Sequence, residues 1–243
     1  MQDAKQDNTL LYLYLAATVA TLAALGAVFF YAPVEATMGI VQKIFYFHVA
    51  SAIAAYCGFA VCCGGSTWYL LKDDVRADVV ARAGAEIGVV FCLFVLVSGP
   101  LWARKAWGTF WTGEPRLMLT LVMCLIYVSY LVVRSFGGSG EMTRKIGAAL
   151  ALLGFVDIPF VRYSVARWRG NHPRVLNNGG ISPDMQKTLT LAFVAVALLF
   201  AAFLMHRIRI GLLEEKADKL GREVAGRNLL LDERSRTMGV ASR

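Results

Sequence analysis

Three histidines supply the only imidazoles in this 243-residue chain, and imidazole is the natural protein ligand for iron and other transition metals. His48 closes the run Lys43-Ile44-Phe45-Tyr46-Phe47-His48. His172 lies in a polar stretch, and His206 stands beside Arg207. A second concentration of chemistry is aromatic and basic. Between residues 102 and 116 the chain carries Trp102, Trp107, Phe110 and Trp111 together with Arg104, Lys105 and Arg116. Trp107, Phe110 and Trp111 are spaced i, i+3, i+4, so a helical turn would present them as one aromatic face. Flat aromatic surface beside cations suits a flat, hydrophobic, dianionic ligand, and a porphyrin with two propionates fits that description. The competing reading is an interfacial belt, since Trp favours the headgroup level of a bilayer. The aromatic density between 102 and 111 is high for a belt.

Other reactive side chains say less. Cys57, Cys62, Cys63, Cys92 and Cys124 all fall in apolar stretches, where a free thiol behaves as a small hydrophobe. No C-x-x-C pair occurs, which argues against covalent c-type haem attachment on this chain and against the usual thiol oxidoreductases. Glu86 and Asp157 are the only acidic residues at or within the apolar runs. Ionisable groups inside a membrane are functional candidates by default. Each of these two is expected near a helix end, where snorkelling accounts for it.

The elements that must position these residues are membrane spans. The chain is 57% hydrophobic and 17% charged, against roughly 25% charged in a typical soluble domain, and its mean hydropathy is +0.55. Such values exclude a soluble globular fold, and collagenous, disordered and disulfide-dense classes with it. Uncharged runs predict helices over 10–31, 44–71, 84–102, 117–133, 146–161 and 189–205, six crossings of a bilayer. The leader before Leu10 carries Asp3 and Asp7 beside one Lys, unlike a cleaved signal, so the first helix is expected to be retained. With six spans, 16 Lys and Arg lie on the side of both termini and 9 on the other. The positive-inside rule then places both termini in the cytoplasm. The net charge of +8 is read as membrane-flanking and lipid-facing rather than nucleic-acid binding. His48, His172 and the tryptophan-rich loop between helices 3 and 4 fall on the periplasmic side, and His206 on the cytoplasmic side as a polar cap. The domain reading is a six-helix membrane domain over 1–206 and a cytoplasmic helical tail over 207–243. In the tail Leu213, Ala217, Leu220 and Val224 follow 4-3-4 spacing, too short for sustained coiled-coil pairing.

Several separated motifs in this all-α membrane chain resemble the CcmC family, haem exporter protein C of cytochrome c maturation system I. They are Lys43–His48, Gly99-Pro100-Leu101-Trp102, Trp107–Leu117 and Asp157–His172. The wider tryptophan-rich haem-handling superfamily carries W-G-x-W-W-x-W-D-x-R-L, which aligns here with residues 107–117. The resemblance implies haem b held at the outer membrane face, with His48 and His172 as axial ligands. It implies a platform of Trp102, Trp107, Phe110, Trp111 and Trp168. Lys43 and Arg116 would meet the propionates, with Arg104 and Lys105 as further cationic contacts. The implied setting is the bacterial inner membrane, in an ABC-type complex with CcmA, CcmB and the small protein CcmD. Haem would be loaded onto the periplasmic chaperone CcmE, with no catalytic residue in this chain. The sequence departs from the signature at Phe110 and Gly113, each in place of Trp, and at Glu114 and Pro115.

Other functions stand beside that one. A system II cytochrome c synthetase core usually has more spans and more histidines. A b-type membrane redox protein needs His pairs deep within facing helices, where none is found. A small-solute transporter without haem would rest on Glu86 and Asp157.

Overall fold

The computed structural model describes residues 2–138, 140–168, 172–173 and 180–240, with side chains described within 8–227. Six long helices follow in order: α1 (Gln2–Gly26), α2 (Ile44–Lys72), α3 (Val75–Trp107), α4 (Pro115–Phe136), α5 (Glu141–Arg167) and α6 (Pro183–Val240). A π-helical turn, Ala27–Tyr31, extends α1, and a 3₁₀ turn, Ile40–Lys43, leads into α2. All six helices are long and apolar enough to cross a membrane, and no strand occurs among the described residues. The expected number and order of spans hold.

The helices outrun their apolar cores. α3 starts at Val75 rather than Gly84, and α5 starts at Glu141 and runs on to Arg167. Hydropathy marks only the lipid-facing stretch. Backbone hydrogen bonding propagates beyond it until a cap or breaker intervenes. Asp74 caps α3, its carboxylate accepting the Arg76 N–H at 2.9 Å. Pro115 occupies the first turn of α4, where its missing N–H costs nothing.

α2 lies at the centre, packed along α3 and also touching α5 and α6, while α4 pairs with α5 and α1 with α6. Lipid supplies no hydrophobic force between helices, so close van der Waals packing must hold them together. Gly58 of α2 meets Gly84 and Gly88 of α3, and a Cβ on Gly58 would fall 2.6 Å from the Gly88 Cα. Phe59, the next residue of α2, stacks on Tyr127 of α4 with ring centroids 3.8 Å apart, and the Tyr127 hydroxyl donates to the Ala151 carbonyl at 3.1 Å. These contacts set the spacing of the bundle whose far end carries the site.

Several charged side chains inside the bundle are paired, whereas Asp157 buries its Oδ2 with no hydrogen-bond partner among the described residues. Glu86 does not sit near a helix end as expected. It lies in the body of α3, where Arg82 reaches it at 3.0 Å and Arg207 of α6 bonds both its oxygens. Asp157 likewise lies in the body of α5, so snorkelling to a helix end accounts for neither carboxylate. Buried Asp78 holds Arg134 of α4 at 2.5 Å and Arg144 of α5 at 3.4 Å, and Arg144 reaches Glu215 of α6 at 2.9 Å. α6 therefore continues past His206 as one helix tied to α3 and α5 by ion pairs.

Candidate functional site

At the end of the bundle opposite the Asp78 network, the start of α2, the end of α3, the start of α4 and the end of α5 surround one cavity of about 330 Å³. That size falls in the range of small-molecule sites, roughly 300–1,000 Å³. Its walls are mainly apolar, with Val49, Ile53, Val95, Leu96 and Met123 among the lining residues. Set into them are His48, His172, Trp102, Trp107, Trp111, Arg116, Arg162 and Tyr56. An apolar wall carrying a few convergent polar groups is the usual build of a ligand site.

His48 stands one turn into α2, and its Nδ1 lies 2.8 Å from Ser98 Oγ of α3. His172 sits in the connection between α5 and α6, in a corner made by Trp102 and Trp107. Those two rings meet edge to face at 5.3 Å, and the His172 ring lies 6.5 Å and 6.4 Å from them. Glu114, the residue before α4, brings Oε1 to 3.6 Å from His172 Nδ1, beyond hydrogen-bond reach. Burial, followed by the charges of Arg116 and His48, pushes the His172 pKa down from 6.5 to about 3. The ring is thus neutral at pH 7, the form that ligates metal. The unfolded imidazole protonates near 6.5 and the folded one only near 3, so this residue lowers folding stability as pH falls through that window.

Arg116 enters the cavity from the first turn of α4, beside the Tyr56 side chain of α2. Arg162 enters from α5. Tyr56, Ser98 and Arg162 were not singled out from the sequence. Tyr56 does follow His48 by eight residues on the same helix, a spacing that repeats one face. Nothing comparable marks Arg162, which falls where the apolar run has already ended.

Not every expected site residue reaches the cavity. Trp107, Phe110 and Trp111 do not form one helical face, because α3 stops at Trp107 and Gly108 adopts φ +77°. Left-handed backbone of that kind favours glycine, and it turns the chain outward. Phe110 is accordingly 54% exposed, with the Arg104 guanidinium 5.6 Å above its ring. Arg104 also donates to the Gly108 carbonyl, Lys105 points to solvent, and Trp168 is half exposed. Lys43 is buried, its ammonium donating to the Phe29 carbonyl at 2.9 Å. None of these five lines the cavity. His206 lies at the opposite end, sharing a 2.7 Å hydrogen bond with the Tyr14 hydroxyl. The departures from the signature have local structural counterparts. Pro115 starts α4, and Gly113 has φ +69°, which a tryptophan would adopt only under strain.

Fold and cavity together define a multi-pass, six-helix membrane protein that walls a ligand-sized space with tryptophan, arginine and two imidazoles. The sequence model of the CcmC family, described as heme exporter protein C, matches residues 3–223. The chain is 30% identical to the heme exporter protein C of Bradyrhizobium diazoefficiens over 216 residues, covering 87% of this chain and 81% of that protein. It is 30% identical to that of Escherichia coli K12 over 186 residues, 74% of each chain. A Marchantia polymorpha mitochondrial protein named for cytochrome c biosynthesis is 27% identical over 173 residues, 71% of each. The chain belongs to the heme exporter protein C family.

Proposed function

We propose that this protein holds haem at the periplasmic face of the bacterial inner membrane and hands it to a periplasmic chaperone of the CcmE type during c-type cytochrome biogenesis. The observation that carries this reading is the meeting of His48 and His172, 124 positions apart, on one tryptophan-walled cavity. Two imidazoles provide both axial ligands of a haem b iron. Trp102, Trp107 and Trp111 supply flat apolar surface for the macrocycle. Arg116 and Arg162 supply charge-assisted contacts for two propionates. Haem is cargo here, so the chain's work is ligation, orientation and release rather than catalysis of a bond change.

Lys43, Arg104, Lys105, Phe110 and Trp168 then act around the site rather than on its wall. Lys43 steadies the end of α1 against α2, and the exposed aromatic and basic groups of 104–110 face the side from which a chaperone would approach. The complex in which release occurs would contain CcmA, CcmB and CcmD, with membrane lipid around the six-helix domain over 1–206. The helical part over 207–243 would lie in the cytoplasm; its last three residues are outside the described ones.

The test is an absorption spectrum of the detergent-purified protein with haem, compared among three variants. His48→Ala and His172→Ala should each change the axial ligand field. His206→Ala should leave both spectrum and haem content unchanged, because His206 bonds Tyr14 at the other end of the bundle. Loss of haem in His206→Ala alone would overturn the ligand assignment.

A further inference from the structure

The hydrogen bonds around His48 decide where its ring proton sits. Ser98 Oγ lies 2.8 Å from His48 Nδ1 and 2.7 Å from the Phe94 carbonyl, one turn back on α3. A serine hydroxyl has a single hydrogen to donate. The carbonyl has none and can only accept, so the hydroxyl hydrogen goes to Phe94. What Ser98 turns toward His48 is therefore an oxygen lone pair, and Nδ1 must carry the hydrogen of that contact. A neutral imidazole bears one N–H, which leaves the lone pair on Nε2. The ring is also held in place by space. Gly99, the next residue of α3, keeps clear a position where a Cβ would come within 3.3 Å of His48 Cε1.

We propose that Ser98 is a positioning residue for the cavity: it holds His48 as the Nδ1–H tautomer, with Nε2 the nitrogen presented to the haem iron. The inference rests on the reading of the cavity as a haem site, but the tautomer itself is a property of the empty protein. Outer partners of metal-bound histidines act in this way elsewhere, fixing tautomer and ring orientation, and losing them costs typically 10–100-fold in metal affinity. His172 lacks such a device, since its Nδ1 has no hydrogen-bond partner among the described residues. The two ligands are thus unequal, with His48 preset by α3 and His172 carried on a connecting segment. Serine is also an economical choice within the membrane, because its back-bond to the Phe94 carbonyl satisfies the hydroxyl whether or not haem is bound.

The experiment uses the full chain in lipid bilayers, labelled with ¹⁵N-histidine, without haem and then titrated with haemin. His48→Gln assigns the His48 resonances among the three histidines. In wild-type and Ser98→Thr proteins, which both keep the hydroxyl, the His48 proton should sit on Nδ1. In Ser98→Ala it should move wholly or partly to Nε2, and the haemin dissociation constant should rise roughly 10-fold. The absorption spectrum of bound haem should at the same time lose part of its six-coordinate character. A wild-type His48 carrying its proton on Nε2 would overturn the proposal. So would a Ser98→Ala protein with unchanged tautomer and affinity in a background where His48→Gln abolishes the axial signature. Should His48→Gln itself leave the haem spectrum untouched, the haem-site reading fails, while the tautomer measurement still decides what Ser98 does to the ring.

Discussion

Trp107 and Phe110 are three residues apart in a loop that reads as a single aromatic cluster, yet one packs against His172 and the other faces out. Their loss should differ accordingly. Burying one large aromatic against a ligand is worth on the order of 1–3 kcal/mol. Trp107→Ala should therefore weaken haem retention by roughly 5- to 150-fold while leaving the axial ligand field in place. Phe110→Ala should bind haem like wild type. Equilibrium haemin titrations of the two variants check this, and equal losses would place Phe110 on the cargo after all. The same loop warns against restoring the superfamily residue at Gly113. With φ +69° there, Gly113→Trp carries about 1–2 kcal/mol of backbone strain, and its haem occupancy in membranes should fall, not rise.

Two glycines of α2 separate packing from propensity at the level of the helix. Gly58 lies against the backbone of α3, whereas a Cβ on Gly64 would meet nothing within 4 Å. Gly58→Ala should force α2 and α3 apart and lower thermal stability by about 1–3 kcal/mol, the usual cost of overpacking. Gly64→Ala should be neutral or stabilise by up to ~1 kcal/mol, as alanine is the better helix former. Ion pairs rank in a similar way. Asp78 is buried between two arginines, so Asp78→Ala leaves uncompensated charge and should cost about 3–5 kcal/mol. Glu214 meets Arg207 at 3.4 Å but is half exposed, and Glu214→Ala should cost less than about 1 kcal/mol. Melting curves in one detergent suffice for all four variants. A Glu214 effect as large as that of Asp78 would contradict the ranking.

The whole molecule separates two kinds of chemistry by the length of its helices. The cavity with His48 and His172 occupies one end, and the Asp78–Arg134–Arg144–Glu215 network joins α3, α4, α5 and α6 at the other. The proposed orientation, with both termini cytoplasmic, is tested by reporter fusions: those after Lys43 and at Thr112 should read periplasmic, and those at Asp74 and Gly138 cytoplasmic. A cytoplasmic signal at Thr112 would put the cavity on the wrong side for delivery to a periplasmic chaperone. The extension of α6 past His206 is tied by ion pairs to α3 and α5, two of the helices that wall the cavity.

Six spans were readable because hydropathy is a local property, accumulated over a run such as 189–205 without reference to any other part of the chain. The residue types around His48, Trp107 and Arg116 were readable for the same reason, since motif spacing lies within one segment. What required the tertiary structure depends on neighbours far apart in sequence. Glu86 reads as a stray carboxylate until Arg207 arrives from 121 residues away. Lys43 reads by family resemblance as a propionate contact, but the Phe29 carbonyl takes its ammonium. Arg162 reads as loop until α5 carries it to the cavity, and Ser98 reads as an ordinary small polar residue until α2 brings His48, 50 positions distant, against it. Burial, hydrogen-bond direction and protonation are set by which side chains share a space. In a bundle of long helices that is decided by how the helices pack, not by the order in which they occur.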